Sequence, residues 1–418
     1  MNNRPRLVGD HATRPAKREA KFWSEFESRT VPNLSLSNMW KSKVTQYRNR
    51  DNRAFTSENR KVKTLRLAVA PAHLDSAEAR QAIARAAEIL RTGGLVAFPT
   101  ETVYGLGANA LDPAAVARIF AAKQRPSWDP VIVHIAGPAT ENLMLDNLIT
   151  GIPQPARKLM AAFWPGPLTL ILPRSAAVPD AVTAGRRLVG IRMPAHPVAF
   201  ELIRQAGVPV AAPSANLFSH ISPTTAAHVL DDLDGRIDAI LDAGPTLHGV
   251  ESTVLDPCQS PMVIYRPGAI TTAQIQEVAG PVELHQGSEI VQSTPPMALP
   301  SPGVGLRHYA PRARLVLVDG PLSKLPVLFH QAASLYSQER LGVMLPAELT
   351  EPIPVPAAYS FSWGRWTDPE ELARNLYAGL RALDAQGCTL ILCPLPPAEG
   401  LGAAIRDRLC KAAHPAER

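Results

Sequence analysis

Short apolar runs alternate with helix-like segments along most of the chain, and this alternation constrains the fold more than any other feature. KTLRLAVAP (63–71) precedes DSAEARQAIARAAEILRTGG (75–94), whose apolar residues recur every three or four positions between an Asp-Ser start and a Gly-Gly stop. LVAFPT, DPAAVARIFAAK and VIVHIA continue the alternation, and further strands are predicted at LTLILP, LVGIRMP, VPVAAPS, AILDAG and STVLD. This order predicts an α/β domain. Because the chain has 41 prolines, a mixed sheet fits as well as a regular parallel one.

The sequence changes character at about residue 281. Residues 281–312 are rich in Pro, Gly and Ser and show no periodicity, which is typical of a linker. Beyond them, strand-like and helix-like segments alternate from LVLVDG to CTLILCPLP, which predicts a small Rossmann-like domain. GLGAA near the end lacks the spacing of a dinucleotide-binding fingerprint. We therefore predict a basic, disordered extension (1–64), an α/β domain (65–280), a linker (281–312) and a C-terminal domain (313–418).

Charge is distributed unevenly along the chain. Residues 1–64 contain 15 Lys and Arg against 6 Asp and Glu, a net charge of +9, whereas the remainder has a net charge of −3. A basic extension indicates either electrostatic contact with nucleic acid or a solvated segment. Its mixed signs and the absence of a repeated aromatic-basic pattern favour the solvated segment.

Hydropathy and cysteine usage limit where the protein works. Hydrophobic residues make up 46% of the chain. No apolar run reaches the roughly 18 residues that span a bilayer, and the N-terminus lacks the apolar core of a secretory signal. Cys258, Cys388, Cys393 and Cys410 show no zinc-ligand spacing, so we interpret them as free thiols of a reducing compartment. These features predict a cytoplasmic protein without membrane association.

Two clusters of polar and basic residues lie at the ends of predicted elements. In PTETVYGLGANA (99–110), hydroxyl and backbone N–H groups follow a strand, and Gly105 and Gly107 allow close approach of a ligand; surface hydroxyls at a turn are the alternative. In KQRPSWDP (123–130), Lys123 and Arg125 are too close in sequence to share a helix face, so we expect both to leave the helix end and reach one site. An ammonium and a guanidinium suit a polyphosphate, and a solvated pair is the alternative.

The third cluster is APSANLFSHISPTTA (212–226). Ser214 and Asn216 follow a buried strand and precede a Ser-Pro-Thr-Thr helix start, where free N–H groups and hydroxyls favour an anion. HGVESTVLD and YRPG add Ser252, Thr253 and Arg266. The sequence shows no Ser/His/Asp series with evident partners, no HExxH and no P-loop. We therefore expect a site that works by positioning and by neutralising negative charge, as phosphoryl and nucleotidyl transfers do.

Together these motifs resemble those of the YrdC-type threonylcarbamoyl-adenylate synthases, in the longer form that carries an extra C-terminal domain. PTETVYGLGANA, the Lys-x-Arg-Pro of KQRP, PSAN and ESTVLD occur in the family's order, and SPGVGLRHYAP is similar to the long form's linker. The resemblance covers roughly residues 65–415. It implies an α/β fold with a YrdC-like twisted mixed-sheet catalytic domain plus a small Rossmann-like C-terminal domain. The implied reaction condenses L-threonine, bicarbonate and ATP to L-threonylcarbamoyl-AMP and pyrophosphate, for N6-threonylcarbamoyladenosine formation in tRNA.

The resemblance also implies roles for individual residues, motif by motif. Recognition of L-threonine falls to Thr102, His134, Arg192 and Ser252, with Arg192 facing the carboxylate. ATP contacts fall to Lys123, Arg125, Ser214, Asn216, Ser222 and Arg266. Lys123 and Arg125 are the catalytic candidates, because they offset the crowding of anions in one cleft. His308 and Tyr309 in the linker are expected to close over the nucleotide as a lid that excludes water.

Further expectations concern the cofactor and partners. Mg²⁺ is expected to accompany ATP, with its ligands unidentified. The adenylate is expected to pass to a tRNA threonylcarbamoyl transferase complex, and a weak contact with tRNA is left open. Two residues depart from the family pattern: Asp129 stands where Asn is common, and Leu188 stands where a hydroxyl residue is common. A carboxylate at residue 129 would repel phosphates unless it helps to hold Mg²⁺.

Two other functions compete with the synthase reading. One is an RNA-binding module without catalysis, although the chain after residue 64 is net negative and shows no interleaved basic and aromatic platform. The other is carbamoyl transfer, as in hydrogenase-maturation enzymes that contain related domains. Those enzymes carry an acylphosphatase-like segment and zinc-type cysteine pairs, which this sequence lacks. Threonine-dependent consumption of ATP distinguishes the synthase from both.

Overall fold

The first eleven strands form one large sheet. A computed structural model describes residues 63–137, 142–285, 299, 301, 303, 308–349 and 359–414, all within one compact unit. The strands are β1 (Leu65–Ala68), β2 (Val96–Pro99), β3 (Tyr104–Asn109), β4 (Val133–His134), β5 (Leu168–Pro173), β6 (Leu188–Arg192), β7 (Val210–Ala211), β8 (Ala239–Asp242), β9 (Thr253–Asp256), β10 (Met262–Arg266) and β11 (Val282–Leu284). They lie in the order β1-β8-β2-β3-β7-β4-β6-β5-β9-β10-β11. Parallel pairs such as β1 with β8 and antiparallel pairs such as β2 with β3 both occur, so the sheet is mixed.

The sequence patterns located eight of these strands but missed β3, β10 and β11. Strand β3 is the part of PTETVYGLGANA from Tyr104 to Asn109, and it pairs with β2 in antiparallel register. Its glycines weaken a strand pattern, yet one of them is required by packing. A Cβ on Gly107 would lie 2.7 Å from the ring of Phe98 and 2.8 Å from a methyl of Val210. Gly107 therefore serves close packing within the sheet.

Helices cover this sheet. They are α1 (Ala77–Arg91), α2 (Pro113–Lys123), α3 (Leu143–Leu148), α4 (Gln154–Phe163), α5 (Asp180–Thr183), α6 (Pro197–Ala206), α7 (Ala226–Leu233) and α8 (Thr272–Ala279). Side-chain caps begin five of them; for example, the Ser76 hydroxyl accepts a hydrogen bond from the N–H of Ala79, and the Asp112 carboxylate from that of Ala114. Helix α2 ends at Lys123 and is capped by Gln124 in the left-handed conformation, φ 53°. This conformation turns the chain away immediately after Lys123.

Alternate residues of the strands enter different apolar cores. Val96 and Phe98 of β2 pack in one cluster with Ile83 of α1 and Leu202 of α6, whereas Ala97 belongs to a second cluster with residues of α2 and α4. This two-residue period is the one expected of a strand that is buried on both faces. The sheet is thus covered on both sides at β2.

The C-terminal part forms a second, smaller sheet. Strands β12 (Arg314–Val318), β13 (Leu341–Pro346), β14 (Tyr359–Gly364) and β15 (Leu390–Pro394) are all parallel and lie in the order β12-β15-β13-β14. Helices α9 (Leu325–Leu335), α10 (Pro369–Ala385) and α11 (Leu401–Ala413) pack around it. This confirms the prediction of a small α/β C-terminal domain. Strand β14 had no predicted counterpart.

The two sheets share a hydrophobic cluster, called here the shared core. It joins Val103, Ile221 and Val250 from the larger sheet's loops to Tyr377 of α10 and Ile405 of α11, with Tyr309 between them. The aromatic ring of Tyr309 stacks on that of Tyr377 at 5.9 Å between centroids. The C-terminal domain is therefore packed against the loops that follow the strands of the larger sheet.

Part of the predicted extension and most of the predicted linker lie outside the described residues. Thr64 is buried at the start of the described chain, where its hydroxyl donates to the carbonyl of Ile237 and accepts from the N–H of Gly235. Within the linker, His308 and Tyr309 are described. Across the described ranges no helix combines the length and apolar character needed to cross a membrane.

Candidate active site

One cleft brings the polar motifs together. Nine of the predicted site residues line it: Thr102, Arg125, His134, Arg192, Ser214, Ser252, Arg266, His308 and Tyr309. The other three, Lys123, Asn216 and Ser222, are buried around this lining and bond to it or to its neighbours. Residues distant in sequence thus meet at the ends of several strands.

Arg192, at the end of β6, is held by three groups. Its Nε donates to the carbonyl of Gly166 at 3.2 Å, Nη1 donates to the hydroxyl of Thr102 at 2.9 Å, and Nη2 lies 2.6 Å from Oε1 of Glu101. Burial acts to raise the pKa of Glu101, but the charge of Arg192 and several hydrogen bonds bring it below its usual value. Two of the five guanidinium N–H groups remain for a further acceptor. Arg192 can therefore bind an anion while it stays paired with Glu101.

His134, at the end of β4, is buried beside this pair. Its ring packs edge-on against Phe98 at 6.3 Å, and its Nδ1 has no hydrogen-bond partner among the described residues. Burial, followed by the positive charge of Arg192, lowers the pKa of His134 to about 3. The imidazole is thus neutral at pH 7 and offers a substrate a hydrogen bond without a charge.

The ionisation of His134 can be tested directly. We expect its ring to stay neutral as the pH falls from 7 to about 4, because its pKa lies near 3. The pKa is depressed in the folded protein, so the stability contributed by neutral His134 is complete above about pH 6.5 and is lost as the pH falls toward 3. Histidine NMR with a His134→Asn variant for assignment measures this. A His134 signal that titrates near pH 6.5 in folded protein would contradict the expectation.

Lys123, the last residue of α2, contacts backbone carbonyls behind the cleft. Its Nζ donates to the carbonyl oxygens of Ser214, at 2.6 Å, and of Asn216. The N–H of Phe218 in turn donates to the carbonyl of Lys123. Burial, followed by the charge of Arg125, lowers the pKa of Lys123 well below its usual range. Lys123 therefore fixes the segment that presents Ser214 to the cleft.

Arg125 lines the cleft and forms a buried ion pair with Asp129. Arg125 Nη2 lies 2.8 Å from Oδ1 of Asp129 and donates to the carbonyl of Pro130 at 2.7 Å, with both charged side chains buried. The Asp129 carboxylate is therefore compensated by a cation and is not free to repel phosphates. Leu188 does not line the cleft; it packs against the cluster formed by Ile132, Ile171 and Val254. Both departures from the family pattern are thus accommodated.

Ser252 and Arg266 form another part of the cleft lining. Arg266 donates through Nε and Nη2 to the carbonyl of Ser252 at 3.1 and 2.9 Å, and Nη2 lies 3.1 Å from the Ser252 hydroxyl. The Ser252 hydroxyl also lies 2.8 Å from that of Thr169 on β5. These bonds set the position of the Arg266 guanidinium at the cleft.

Sequence reasoning did not single out Glu251, which also lines the cleft. Its Oε1 accepts from the Ser222 hydroxyl at 2.6 Å, while Oε2 accepts from the Tyr377 hydroxyl at 2.9 Å and from Arg408 Nε at 2.8 Å. Burial acts to raise the pKa of Glu251, but Arg408 and then Arg266 lower it to about 2. An ionised carboxylate only accepts hydrogen bonds, so Ser222 must donate its single proton to it. Ser222 can consequently face a ligand only as an acceptor.

His308 and Tyr309 line the cleft from the linker side. Their rings lie 4.3 Å apart, and the ring of His308 packs edge-on against Phe218 at 5.7 Å. Neither imidazole nitrogen of His308 nor the hydroxyl of Tyr309 has a hydrogen-bond partner among the described residues, although all are buried. Tyr309 has a φ of 63°, an uncommon backbone conformation for a residue with a side chain. These unpaired groups are available to a ligand in the cleft.

The described residues contain no group of three or more His, Cys, Asp and Glu side chains arranged to hold a metal ion. Each carboxylate in or beside the cleft is already paired with an arginine: Glu101 with Arg192, Asp129 with Arg125, and Glu251 with Arg408. Within the part of the chain that is described, the side chains therefore do not form a site of their own for Mg²⁺.

Comparison with known proteins accounts for both sheets. A family model described as "Telomere recombination", of the Sua5, YciO and YrdC type, matches residues 88–268. A model described as "Threonylcarbamoyl-AMP synthase, C-terminal domain" matches residues 270–414. Threonylcarbamoyl-AMP synthase of Bacillus subtilis is 46% identical over 334 residues, which are 79% of this chain and 92% of that protein. The enzyme of the same name from Pyrococcus abyssi is 43% identical over 329 residues, 78% of this chain and 92% of that protein.

A solved structure extends the likeness to three dimensions. The crystal structure of Pyrococcus abyssi Sua5 complexed with L-threonine superposes with a TM-score of 0.75 at 40% sequence identity. The superposition covers 84% of this chain and 98% of the Sua5 chain. It therefore includes both the large mixed sheet and the smaller parallel one.

Proposed function

The chain belongs to the threonylcarbamoyl-AMP synthase family, in the long form with a Sua5 C-terminal domain, and we propose that the cleft described above is where its reaction takes place. The protein is a nucleotidyltransferase that makes L-threonylcarbamoyl-AMP from L-threonine, bicarbonate and ATP, for threonylcarbamoyladenosine formation in tRNA. The observation that carries the proposal is the convergence of Arg125, Arg192 and Arg266 on one cleft. Three guanidinium groups in one small volume suit a reaction that gathers several anions.

The cleft divides into two sets of groups. Thr102, His134, Arg192 and Ser252 hold L-threonine, with the free N–H groups of Arg192 on its carboxylate. Arg125, Arg266 and Ser214 hold the phosphates of ATP. Lys123 supports Ser214 through its carbonyl, and Asn216 holds the turn that follows through the carbonyls of Leu217 and His220. Ser222 accepts a hydrogen bond from a hydroxyl or amino group of the nucleotide. Neutral His134 lies near the substrate amine without adding a positive charge, which favours the unprotonated amine that must react.

The reaction then proceeds because the cleft holds threonine, bicarbonate and ATP next to one another. The threonine amine joins bicarbonate with loss of water, and an oxygen of the resulting carbamate attacks the α-phosphorus of ATP. The bond from that phosphorus to the bridging oxygen breaks, and pyrophosphate leaves with the electron pair. Arg125 and Arg266 offset the charge that develops on the phosphates. His308 and Tyr309, with unpaired polar atoms at the cleft, act as a lid that keeps water from the adenylate.

Mg²⁺ binds together with ATP in the proposed reaction. Because the described carboxylates are already paired with arginines, the ion arrives as the ATP complex, held by phosphate oxygens and water. It supplies additional positive charge on the phosphates. The product is a labile mixed anhydride, so it passes directly to a tRNA threonylcarbamoyl transferase complex. The free thiols Cys258, Cys388, Cys393 and Cys410 are consistent with work in the reducing cytoplasm.

Pyrophosphate release tests the proposal. With ATP, Mg²⁺ and bicarbonate present, we expect release to depend on L-threonine and to fall at least about tenfold in Arg125→Met and Arg266→Met, a barrier change near 1.4 kcal/mol. Arg236→Met, on an arginine that does not line the cleft, is the control and should keep the wild-type rate. Release that proceeds equally well without threonine, or a folded protein that consumes no ATP, would overturn the proposal and reopen the RNA-binding alternative.

A further inference from the structure

Arg408 links the C-terminal domain to the wall of the cleft. It lies on α11 and its side chain is only 1% exposed. Its Nε donates to Glu251, its Nη1 donates to Asp407, and its guanidinium carbon lies 5.2 Å from the centroid of the Tyr309 ring. Glu251 and Tyr309 both line the cleft, whereas Arg408 does not. Arg408, a buried cation on a helix of the C-terminal domain, thus contacts two residues that line the cleft.

A second residue of the C-terminal domain supports the same carboxylate. The Tyr377 hydroxyl on α10 donates to Oε2 of Glu251, and its ring stacks on that of Tyr309. The loop before Glu251 approaches α10 closely: a Cβ added at Gly249, which has a φ of +70°, would lie 2.4 Å from the carbonyl oxygen of Ala373. The position of Glu251 is therefore set by α10 and α11 as well as by its own sheet.

The charge balance gives these contacts a consequence for the reaction. Glu251 is an ionised group in the lining of a cleft where ATP and bicarbonate must bind. Without a cation, its negative charge would oppose those anions, and Arg266 would be drawn toward it. Arg408 offsets that charge from outside the cleft, which leaves the lining cations to the substrates.

We infer that Arg408 is a positioning residue of the synthase: it neutralises Glu251 and holds Tyr309 in place, so that the C-terminal domain completes the ATP site. This inference rests on the proposed function, because it takes the cleft to be the nucleotide site. It gives the second domain a direct part in substrate binding, exerted through Glu251 and Tyr309.

The first test compares ATP binding in four proteins by calorimetry, with Mg²⁺ and without threonine. We expect Arg408→Met to raise the Kd for ATP at least about tenfold, because Glu251 is left unpaired. The double variant Glu251→Gln with Arg408→Met removes both charges and should return the Kd to within about threefold of wild type. The matched control is Arg406→Met, because Arg406 lies on the same helix as Arg408 and pairs with Asp319 at 3.1 Å but does not line the cleft. It should leave the Kd unchanged.

The second test separates a charge effect from a general loss of structure. In Arg408→Met the pKa of Glu251 should rise, because burial then outweighs the remaining cations. ATP binding should consequently improve as the pH is lowered, since protonation removes the unpaired charge, and this dependence should vanish in the double variant. The titratable and charged groups around Glu251 are Arg266 on β10, His308 and Tyr309 in the linker, Tyr377 on α10 and Arg408 on α11. All of these groups except Arg408 are present both in wild type and in Arg408→Met. Their effects on the pKa of Glu251 therefore cancel when the two proteins are compared.

A milder variant covers the case in which Arg408→Met does not fold. Tyr377→Phe keeps the stacked ring and removes only the hydrogen bond to Glu251. We expect about a twofold to fivefold increase in the Kd for ATP, and no increase when Glu251→Gln is already present. Unchanged ATP binding in both single variants, or weakened binding that Glu251→Gln does not restore, would overturn the inference.

The same measurements keep the two proposals apart. If wild-type protein binds ATP with the expected pattern among variants but releases no threonine-dependent pyrophosphate, the proposed reaction fails and the role of Arg408 stands. If release depends on threonine but the Kd and KM for ATP are the same with and without Arg408, the inference about Arg408 fails and the proposed function stands. A wild-type protein that binds no ATP contradicts both.

Discussion

Arg192→Met is expected to reduce threonine-dependent pyrophosphate release at least about a hundredfold, a barrier change near 2.7 kcal/mol. The substitution removes the proposed partner of the threonine carboxylate. It also leaves Glu101 buried and unpaired, close to where that carboxylate binds. Breaking a buried ion pair in this way destabilises a protein by about 3 to 5 kcal/mol. Substrate binding and stability should therefore both decline, and urea unfolding together with the KM for threonine measures them separately.

A second substitution distinguishes these two effects. Glu101→Gln combined with Arg192→Met removes the unpaired charge, so the free energy of unfolding should recover while the KM for threonine stays high. Arg174→Met is the matched control, since Arg174 follows β5 in the same sheet and pairs with the exposed Asp180. It should change the KM for threonine less than twofold. A normal KM for threonine in folded Arg192→Met would contradict the assignment of Arg192.

Lys123→Met is expected to produce the other large loss, again at least about a hundredfold in pyrophosphate release, through the KM for ATP. Methionine approximates the aliphatic part of lysine but donates no hydrogen bond. The carbonyls of Ser214 and Asn216 would lose their buried partner, at about 1 to 3 kcal/mol for each unpaired group. The segment should then shift and withdraw Ser214 from the cleft. A crystal structure of the variant and its KM for ATP measure the two parts of this expectation.

The control for Lys123 is Lys158→Met on the exposed face of α4. It removes the same charge from the protein without touching the cleft, and its kinetics should match those of wild type. Lys123→Met with an unchanged KM for ATP and a displaced 214–216 segment would separate the loop from nucleotide binding. An undisplaced segment with lost activity would instead indicate that Nζ itself acts on the substrate.

The sequence predicted the α/β class and the set of residues that meet in the cleft, but not their bonding. Apolar runs such as LTLILP and LVGIRMP correspond to β5 and β6, because these strands are buried and need continuous apolar side chains. Strand β3 was missed because Gly105 and Gly107 weaken its pattern, although packing against Phe98 and Val210 requires the second glycine. VIVHIA was predicted to be a strand over its whole length. Only Val133–His134 forms β4, because the prolines and turns around it restrict pairing.

Pairings between distant residues lay beyond sequence reasoning. Lys123 and Arg125 were predicted to reach one site together, yet one lies against backbone carbonyls and the other lines the cleft. Asp129 is paired with Arg125, four residues away and on the same loop, and the sequence did not indicate this pairing. Glu251 precedes Ser252 within a recognised motif, so its place near the cleft could have been predicted. Its partner Arg408 could not, because the two are 157 residues apart.

The shared core has a consequence for how the protein holds together. Its apolar side chains come from loops of the larger sheet, from the linker at Tyr309 and from α10 and α11. Removing the C-terminal domain would expose Val103, Ile221 and Val250 to water and leave Glu251 without Arg408 and Tyr377. We therefore expect the two sheets to melt as a single cooperative unit, and we expect a shortened fragment without the C-terminal domain to need new surface residues before it is stable on its own.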